Sequence, residues 1–542
     1  MRRALSVLAV LLPSCVGGPG GVVEAPNGMV ASSHPVATRI GLDVLQRGGT
    51  AVDAAIAVNA ALSVLEPMMC GPGGDLFAIV WEAKTGKLHG LNASGRAPRA
   101  LAPGKVKPAP DGTIPSASPY AWTVPGCVDG WFELHGRFGR TPVAELLAPA
   151  IRLAREGSPV PRVIASEWRK EGGPGFAETF LPAPREGDLF RNPGLATTLE
   201  RIAEHGRDAF YRRGPINRAL LSFTGKHGGF FSWDDFNLHR SEWVEPISTD
   251  YRGVTVWEIP PNGQGLSVLQ LLNVLENFDL RRMGRDSPDF WHVMLEAKKL
   301  VFEDRARYYA DPAFAKVPVA ELLAKDYAAR RAKAIDMARA SERLQPGLEA
   351  GDTTYLCAAD REGNMVSLIQ SIFAAGGSGY VPDGLGFCLQ NRGAGFSLDP
   401  KSPNVLAPGK RPFHTIIPGF ATVKGKPWLA FGVMGGDVQP QGQVQVLVNL
   451  IDFGMELQAA GDAPRWRHAG SSEPSGTVMT TGGVVFLEPG VPASVREELS
   501  RRGHKLQPGG WFGGYQAVAR DPSTGLYRGA SESRKDGCAL GY

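Results

Sequence analysis

Apolar and polar positions along the chain alternate between two periods, and each change of period marks an element. In "AVDAAIAVNAALSVLE" the apolar residues recur at helical spacing with almost no polar face, which predicts a mostly buried helix from Ala51 to about Pro67. The stretch "MMCGPGGDLFAIVWEAKTGKLHGLNASG" then reads as β-hairpin, with the turn at Lys84-Thr85-Gly86. Thr141-Pro142 predicts a helix start and Gly157 its stop around "VAELLAPAIRLARE", with Pro149 bending it. Ser287-Pro288 opens a longer helix, which runs to Asp311-Pro312 and is followed by a second helix rich in alanine and arginine. Periodicity stops at "LQPGLEAGD", which predicts an exposed loop. From Thr353 strand patterns dominate: "TTYLCAA", "MVSLIQSI", "FATVKGKPWLAFGVM" and "GVVFLEP", with one helix near "GQVQVLVNLIDFG". A helix-rich first two thirds thus meets a strand-rich last third.

Composition narrows the class of partner more than the fold. The 542 residues are 43% apolar and 21% charged, the balance of a folded globular protein. A net charge of +4, left over from 58 basic and 54 acidic residues, supplies no basic field for nucleic acid, so small-molecule partners are expected. Six cysteines contain no C-x-x-C pair and no zinc spacing, so neither a metal nor a disulfide scheme is predicted. "MRRALSVLAVLLPSC" at residues 1–15 has the basic start and short apolar run of an export signal, with a loose likeness to a lipoprotein cleavage box. Export is therefore the expectation, over a cytoplasmic location. The run is far short of the ~20 residues that span a bilayer.

The glycine-rich stretches "CGPGGD" and "AAGGSG" lack a full dinucleotide fingerprint, and there is no G-x-S-x-G, H-E-x-x-H or Walker A motif. The remaining chemistry lies at Asp352-Thr353-Thr354. A threonine hydroxyl is a weak nucleophile until a base takes its proton, and a free α-amine on the same residue is one recognised base. That amine has an intrinsic pKa of about 7.7–8.0 and appears only when the chain is cut before the threonine. A loop ending in Asp352 and a strand beginning at Thr353 have this layout, although the tripeptide alone also fits a turn capped by hydroxyls.

The motifs "DTTYLCAADREGNMVSLIQS", "LQNRGAGFSLDP", "GKRPFHTIIP", "VMGGD", "DAPRW" and "GASESRKDGCALGY" resemble the γ-glutamyltransferase family of N-terminal nucleophile hydrolases. The earlier "GGTAVDAAIAVNAALSVLEP", "GPGGD", "EIPPNGQG" and "EAKKLVFEDRARYYADP" resemble it too, in order, from about Asn27 to Tyr542. The resemblance implies an α+β fold, a four-layer αββα sandwich built from two fragments of one precursor. The large fragment would be residues 27–352 and the small one 353–542, possessing Thr353 as its first residue, with a dimer of such heterodimers as one assembly. Asp352-Thr353 would be the self-cleaved bond, Thr353 nucleophile and base, Ser371 the hydroxyl that orients it, and Gly435-Gly436 the backbone donors to the oxyanion. The reaction implied is acyl transfer from a small acyl amide or peptide, of glutathione type or otherwise, to water or an amine, without metal or organic cofactor. An uncleaved, non-catalytic binding member of the family is the alternative.

The resemblance is weakest at the substrate grip. Family members hold a γ-glutamyl α-amine with acidic or amide side chains and its α-carboxylate with an arginine and two serines. Here the amine positions fall on Arg392 and Gly395, the serine pair on His414-Thr415, and the carboxylate arginine on Ser94 with Arg96 two residues on. A guanidinium suits a carboxylate and not an ammonium group. The expected acyl group is therefore glutaryl-like, a carboxylate without an α-amine, contacted by Arg392 and lined by His414, Thr415 and Arg96. This branch resembles the cephalosporin acylases.

Overall fold

The computed structural model describes residues 21–342 and 352–542, so the export-like segment and the loop before Asp352 lie outside the described residues. Two seven-stranded antiparallel sheets lie face to face. The first runs Val23–Ala25, Tyr527–Ser531, Gly514–Arg520, Lys426–Met434, Gly419–Val423, Val254–Glu258, Ile247–Tyr251. The second runs Cys538–Gly541, Met29–Ser32, Asp352–Ala359, Met365–Phe373, Asp75–Glu82, Lys87–Ala93, Glu242–Val244. Strands from both sides of residue 352 pair within each sheet, so the two stretches make one fold.

The central strands read as unbroken apolar runs because both of their faces are buried. Tyr355, Cys357 and Ala359 enter the core between the sheets, with Phe77, Ile79, Phe420, Ala430 and Met434. Leu356 and Ala358 point the other way, onto the helix Ala51–Leu65. On the far side Leu429, Phe431 and Val433 pack under the helices Gly265–Leu275, Pro288–Tyr308 and Val438–Ile451. Helix, sheet, sheet and helix give the four αββα layers.

Local chemistry sets the element ends. Thr50 Oγ1 accepts from the Asp53 amide at 3.1 Å, and Asp53 Oδ2 accepts from Thr50 N at 2.9 Å, a reciprocal cap on the helix Ala51–Leu65. Asp360, in the turn between the strands Asp352–Ala359 and Met365–Phe373, adds a bond from Ala51 N at 2.9 Å. The helix expected from Thr141-Pro142 begins at Val143 with Pro142 as its cap, because Thr141 N is engaged by Asp53 Oδ2 at 3.1 Å. The alanine- and arginine-rich helix is split at Ala324 into Val319–Leu323 and Lys325–Ala332. The helix expected near Gly442 starts at Val438, since Pro440 falls in the first turn, where its missing N–H has no intrahelical partner.

Two features of this packing are measurable. A Cβ at Gly432 would stand 2.4 Å from the Tyr355 ring of the facing sheet. Gly432→Ala is expected to cost ~1–3 kcal/mol in urea unfolding through overpacking; an unchanged midpoint would show that the sheets yield there. Glu66, at the end of the helix Ala51–Leu65, accepts from Thr354 Oγ1 at 2.7 Å, and burial pushes its carboxyl up to about 7 from 4.5. The unfolded chain loses that proton first, so stability from this group is full below pH 4.5 and is lost as pH rises through 7. Glu66→Gln should therefore gain on the wild type across that window, by up to ~3 kcal/mol above it. A difference independent of pH would contradict the assignment.

Candidate active site

Thr353 lies at an irregularity in the central hairpin. Asp352 pairs with Phe373 and Thr354 with Gln370, so the register slips at Thr353 itself. The residue is 1% exposed. Its Oγ1 accepts from Gln439 Nε2 at 3.3 Å, and the amide orientation follows from Gln439 Oε1, which accepts from Ile417 N at 3.0 Å. Thr354 points to the opposite face, bonded to Glu66 and to Ser33 Oγ at 3.0 Å. Of the two adjacent threonines, only Thr353 shares a hydrogen bond with the helix that follows the paired glycines.

Those glycines stand between the strand Lys426–Met434 and the helix Val438–Ile451. Gly435 has φ +121° and Gly436 φ +50°, and a Cβ on Gly435 would meet the Trp511 ring at 2.1 Å. Their carbonyls accept from the amides of Val438 at 2.8 Å and Gln439 at 3.2 Å, which ties the turn to the helix start. Gln264 Nε2 braces the site by donating to the carbonyls of Gly436 at 2.8 Å and Thr415 at 2.7 Å. Arg305 in turn holds Gln264 Oε1 at 2.6 Å, Asp437 at 2.9 Å, and Glu473.

A cavity of about 450 Å³ opens against this turn, its wall including Phe373, Asn391, Thr415, Gly436 and Asp437. Residues between Ala109 and Ala117 also line it. Arg392 lies one layer beneath. Its Nη1 donates to Thr415 Oγ1 at 2.7 Å and its Nη2 to Ser371 Oγ at 3.2 Å, while Ser371 Oγ also accepts from Phe373 N at 2.8 Å. The guanidinium carbon is 4.3 Å from the centre of the Phe373 ring. Ser371 is thus joined to the cavity wall through Arg392, and the sequence-derived contact between Arg392 and a substrate is covered by Phe373.

Two other expected substrate contacts are placed elsewhere. His414 is fully buried, with Nε2 on Asp75 Oδ2 at 3.0 Å and Nδ1 accepting from Ile416 N at 3.3 Å. Burial, reinforced by Arg392, pushes its imidazole down to about 4, so it is neutral and its ring nitrogens serve the fold. Arg96 pairs with Glu242 at 2.8 Å and Asp311 at 3.4 Å and donates to the Gly409 carbonyl at 3.1 Å, which fastens a loop instead of lining the cavity. Among the described residues His292, Glu296 and His504 stand close enough to share a metal ion. The Lys299 ammonium, 2.7 Å from Glu296 Oε1, already supplies the positive charge there, and none of the three lines the cavity.

Sequence reading missed Gln439, Phe373 and the Gln264–Arg305 brace. The polar run "DVQPQGQVQ" was the available signal for Gln439, because five amides or acids in an otherwise apolar stretch need buried partners. Phe373, at the end of an apolar strand, carries no such mark.

Comparison with known proteins bears on the whole chain. A glutathione hydrolase-like YwrD proenzyme of Bacillus subtilis (strain 168) is 36% identical over 95% of this chain and 98% of its own length. The Acylase ACY 1 proenzyme of Pseudomonas sp. (strain SE83) is also 36% identical, over 94% and 93%. The crystal structure of a cephalosporin acylase from Bacillus halodurans superposes with a TM-score of 0.87 at 45% identity, covering 96% of this chain and 97% of that one. The gamma-glutamyltranspeptidase profile matches residues 37–542, and the chain belongs to that family, an acyl-amide hydrolase or acyltransferase of the N-terminal nucleophile fold.

Proposed function

We propose that Thr353 is the nucleophile of both maturation and turnover. The observation that carries this reading is the juxtaposition of a buried threonine, at a register slip in the central hairpin, with Gln439 of the helix that follows Gly435-Gly436. In maturation Thr353 Oγ attacks the Asp352 carbonyl carbon, the peptide C–N bond breaks, and the ester so formed is hydrolysed. Water supplies the hydroxyl of the new Asp352 carboxyl, and Thr353 keeps a free amine. Large and small subunits, residues 27–352 and 353–542, are the products. The shared sheets hold them together after the cut, since Met29–Ser32 lies between Cys538–Gly541 and Asp352–Ala359.

In turnover the Thr353 amine takes the hydroxyl proton as Oγ attacks a substrate amide carbonyl. The backbone N–H groups of Gly435 and Gly436 receive the oxyanion, and the positive end of the helix Val438–Ile451 favours that charge. The same proton passes to the leaving amine. Water or an amine then releases the acyl group from the ester. Ser371 positions the hairpin end through its bond from Phe373 N, and Gln439 fixes the hydroxyl. The relatives' names, a glutathione hydrolase-like protein and acylases, support γ-glutamyl or glutaryl-like amides as substrates. The replacement of the family's amine and carboxylate grips by Arg392, Gly395 and His414-Thr415 favours the glutaryl type.

Thr353→Ala is expected to leave a single uncut chain and to lower kcat by more than about 10³-fold. Thr353→Ser should still split, more slowly, giving a small fragment that begins Ser-Thr-Tyr. Denaturing gels with N-terminal sequencing distinguish these outcomes. A wild-type chain that stays whole yet turns over amides would remove Thr353 from the chemistry, and one that stays whole and inert would favour a binding role.

A further inference from the structure

Among the described side chains, Arg392 is a buried cation without an ion-pair partner. Its side chain is fully enclosed, its two terminal nitrogens donate only to the neutral hydroxyls of Thr415 and Ser371, and its Nε has no hydrogen-bond partner. Among the side chains that the structure describes it forms no ion pair, and Asp75 pairs with His414. The carboxylate that influences it electrostatically, Asp75, is committed to His414 Nε2 at 3.0 Å, Gly95 N at 2.9 Å and Gln390 Nε2 at 2.9 Å. Burial accordingly pulls the guanidinium down to about 9. An uncompensated buried charge costs several kcal/mol, so a site that retains one is built to receive a counter-ion. Thr415, which accepts from Arg392, lines the cavity, and so does Phe373, whose ring lies against the guanidinium.

Phe373 occupies its position against Arg392 at the cost of backbone strain. Its φ of +80° is an uncommon conformation for a residue with a large side chain, costing on the order of 1–3 kcal/mol. The backbone that enforces it is paired across the hairpin with Asp352, the residue at the bond whose cleavage is proposed above. Once that bond is cut, Asp352 becomes a chain end no longer fastened to Thr353, and the pairing that pins Phe373 loses its covalent anchor.

We propose that Phe373 is a gate, shut in the uncut chain and released by cleavage at Asp352-Thr353, over Arg392, which then binds the free carboxylate of a dicarboxylic half-amide such as a glutaryl amide. This inference rests on the assignment of Asp352-Thr353 as the cleavage site. It makes maturation do two things at once, freeing the Thr353 amine and uncovering the acyl-group anchor. Arginine suits the task because its planar fork offers a carboxylate two parallel donors.

The test is calorimetric titration of glutarate into three full-length preparations: the mature wild type, the uncut Thr353→Ala chain, and the uncut Thr353→Ala/Phe373→Ala chain. Glutarate is expected to bind the mature enzyme at least about tenfold more tightly than the uncut Thr353→Ala chain, and removal of the ring should restore most of that affinity without any cut. In the mature enzyme Arg392→Met should lower the ratio of kcat/KM for a glutaryl anilide over that for a valeryl anilide by about 30-fold or more. If Phe373→Ala does not fold, Phe373→Leu, which keeps core volume but not the ring face, serves in its place. Equal glutarate affinity for cut and uncut chains, no gain on removing the ring, or an unchanged selectivity ratio overturns the gate while leaving the nucleophile assignment intact. A Thr353→Ala chain that still splits overturns the nucleophile assignment, and the gate with it.

Discussion

A buried space between two sheets makes an unpartnered polar atom costly, and the arrangement around Thr353 follows from that constraint. The strand Asp352–Ala359 is sealed on both faces, by the facing sheet and by the helix Ala51–Leu65. Two hydroxyls at its start therefore have to be satisfied in opposite directions. Thr354 turns toward Glu66 and Ser33, and Thr353 toward Gln439. The register slip between Asp352 and Thr354 separates the two environments, turning Thr354 to Glu66 and Ser33 and Thr353 to Gln439, in the first turn of the helix after the glycines.

The same constraint explains the rest of the shell. Helix Val438–Ile451 brings amides into an apolar layer, and each is used: Gln439 on Thr353 and Ile417, Gln441 on Asp437 and His468, Gln443 on Ile417. Arg305 is buried and paired with Asp437 and Glu473, so its charge is neutralised where it stands. Arg392 is buried with hydroxyls alone. The two guanidiniums differ in this: Arg305 has its counter-charges in the described chain, and Arg392 among the described side chains has hydroxyls and the Phe373 ring.

Much of the fold was legible as local pattern. The Ala51 helix, the hairpin at Lys84-Thr85-Gly86 and the hairpin that starts at Thr353 all stand where periodicity and turn chemistry put them. What local pattern does not carry is which strands meet. Met29–Ser32 pairs on one side with Leu356–Ala359 and on the other with Cys538–Gly541, partners more than three hundred residues away. Strands buried on both faces lack the alternation that would announce them, and the contrast of a helix-rich beginning with a strand-rich end concealed a sandwich woven from both. The same limit governs the site. Family-like motifs marked Thr353, Ser371, Arg392 and the glycine pair, but nothing in the sequence shows that His414 would turn to Asp75, that Arg96 would clamp Glu242, or that a phenylalanine would lie over Arg392.

The central claim is that acyl groups pass through an ester on the first residue of the small fragment. The most direct measurement mixes purified protein with a glutaryl anilide, quenches in acid within a turnover, and maps the adduct by peptide mass spectrometry. The account predicts a glutaryl group on a peptide whose first residue is Thr353, lost on further incubation in step with glutarate release. Turnover with the adduct on another residue, or on a peptide that still contains the intact Asp352-Thr353 bond, would contradict it.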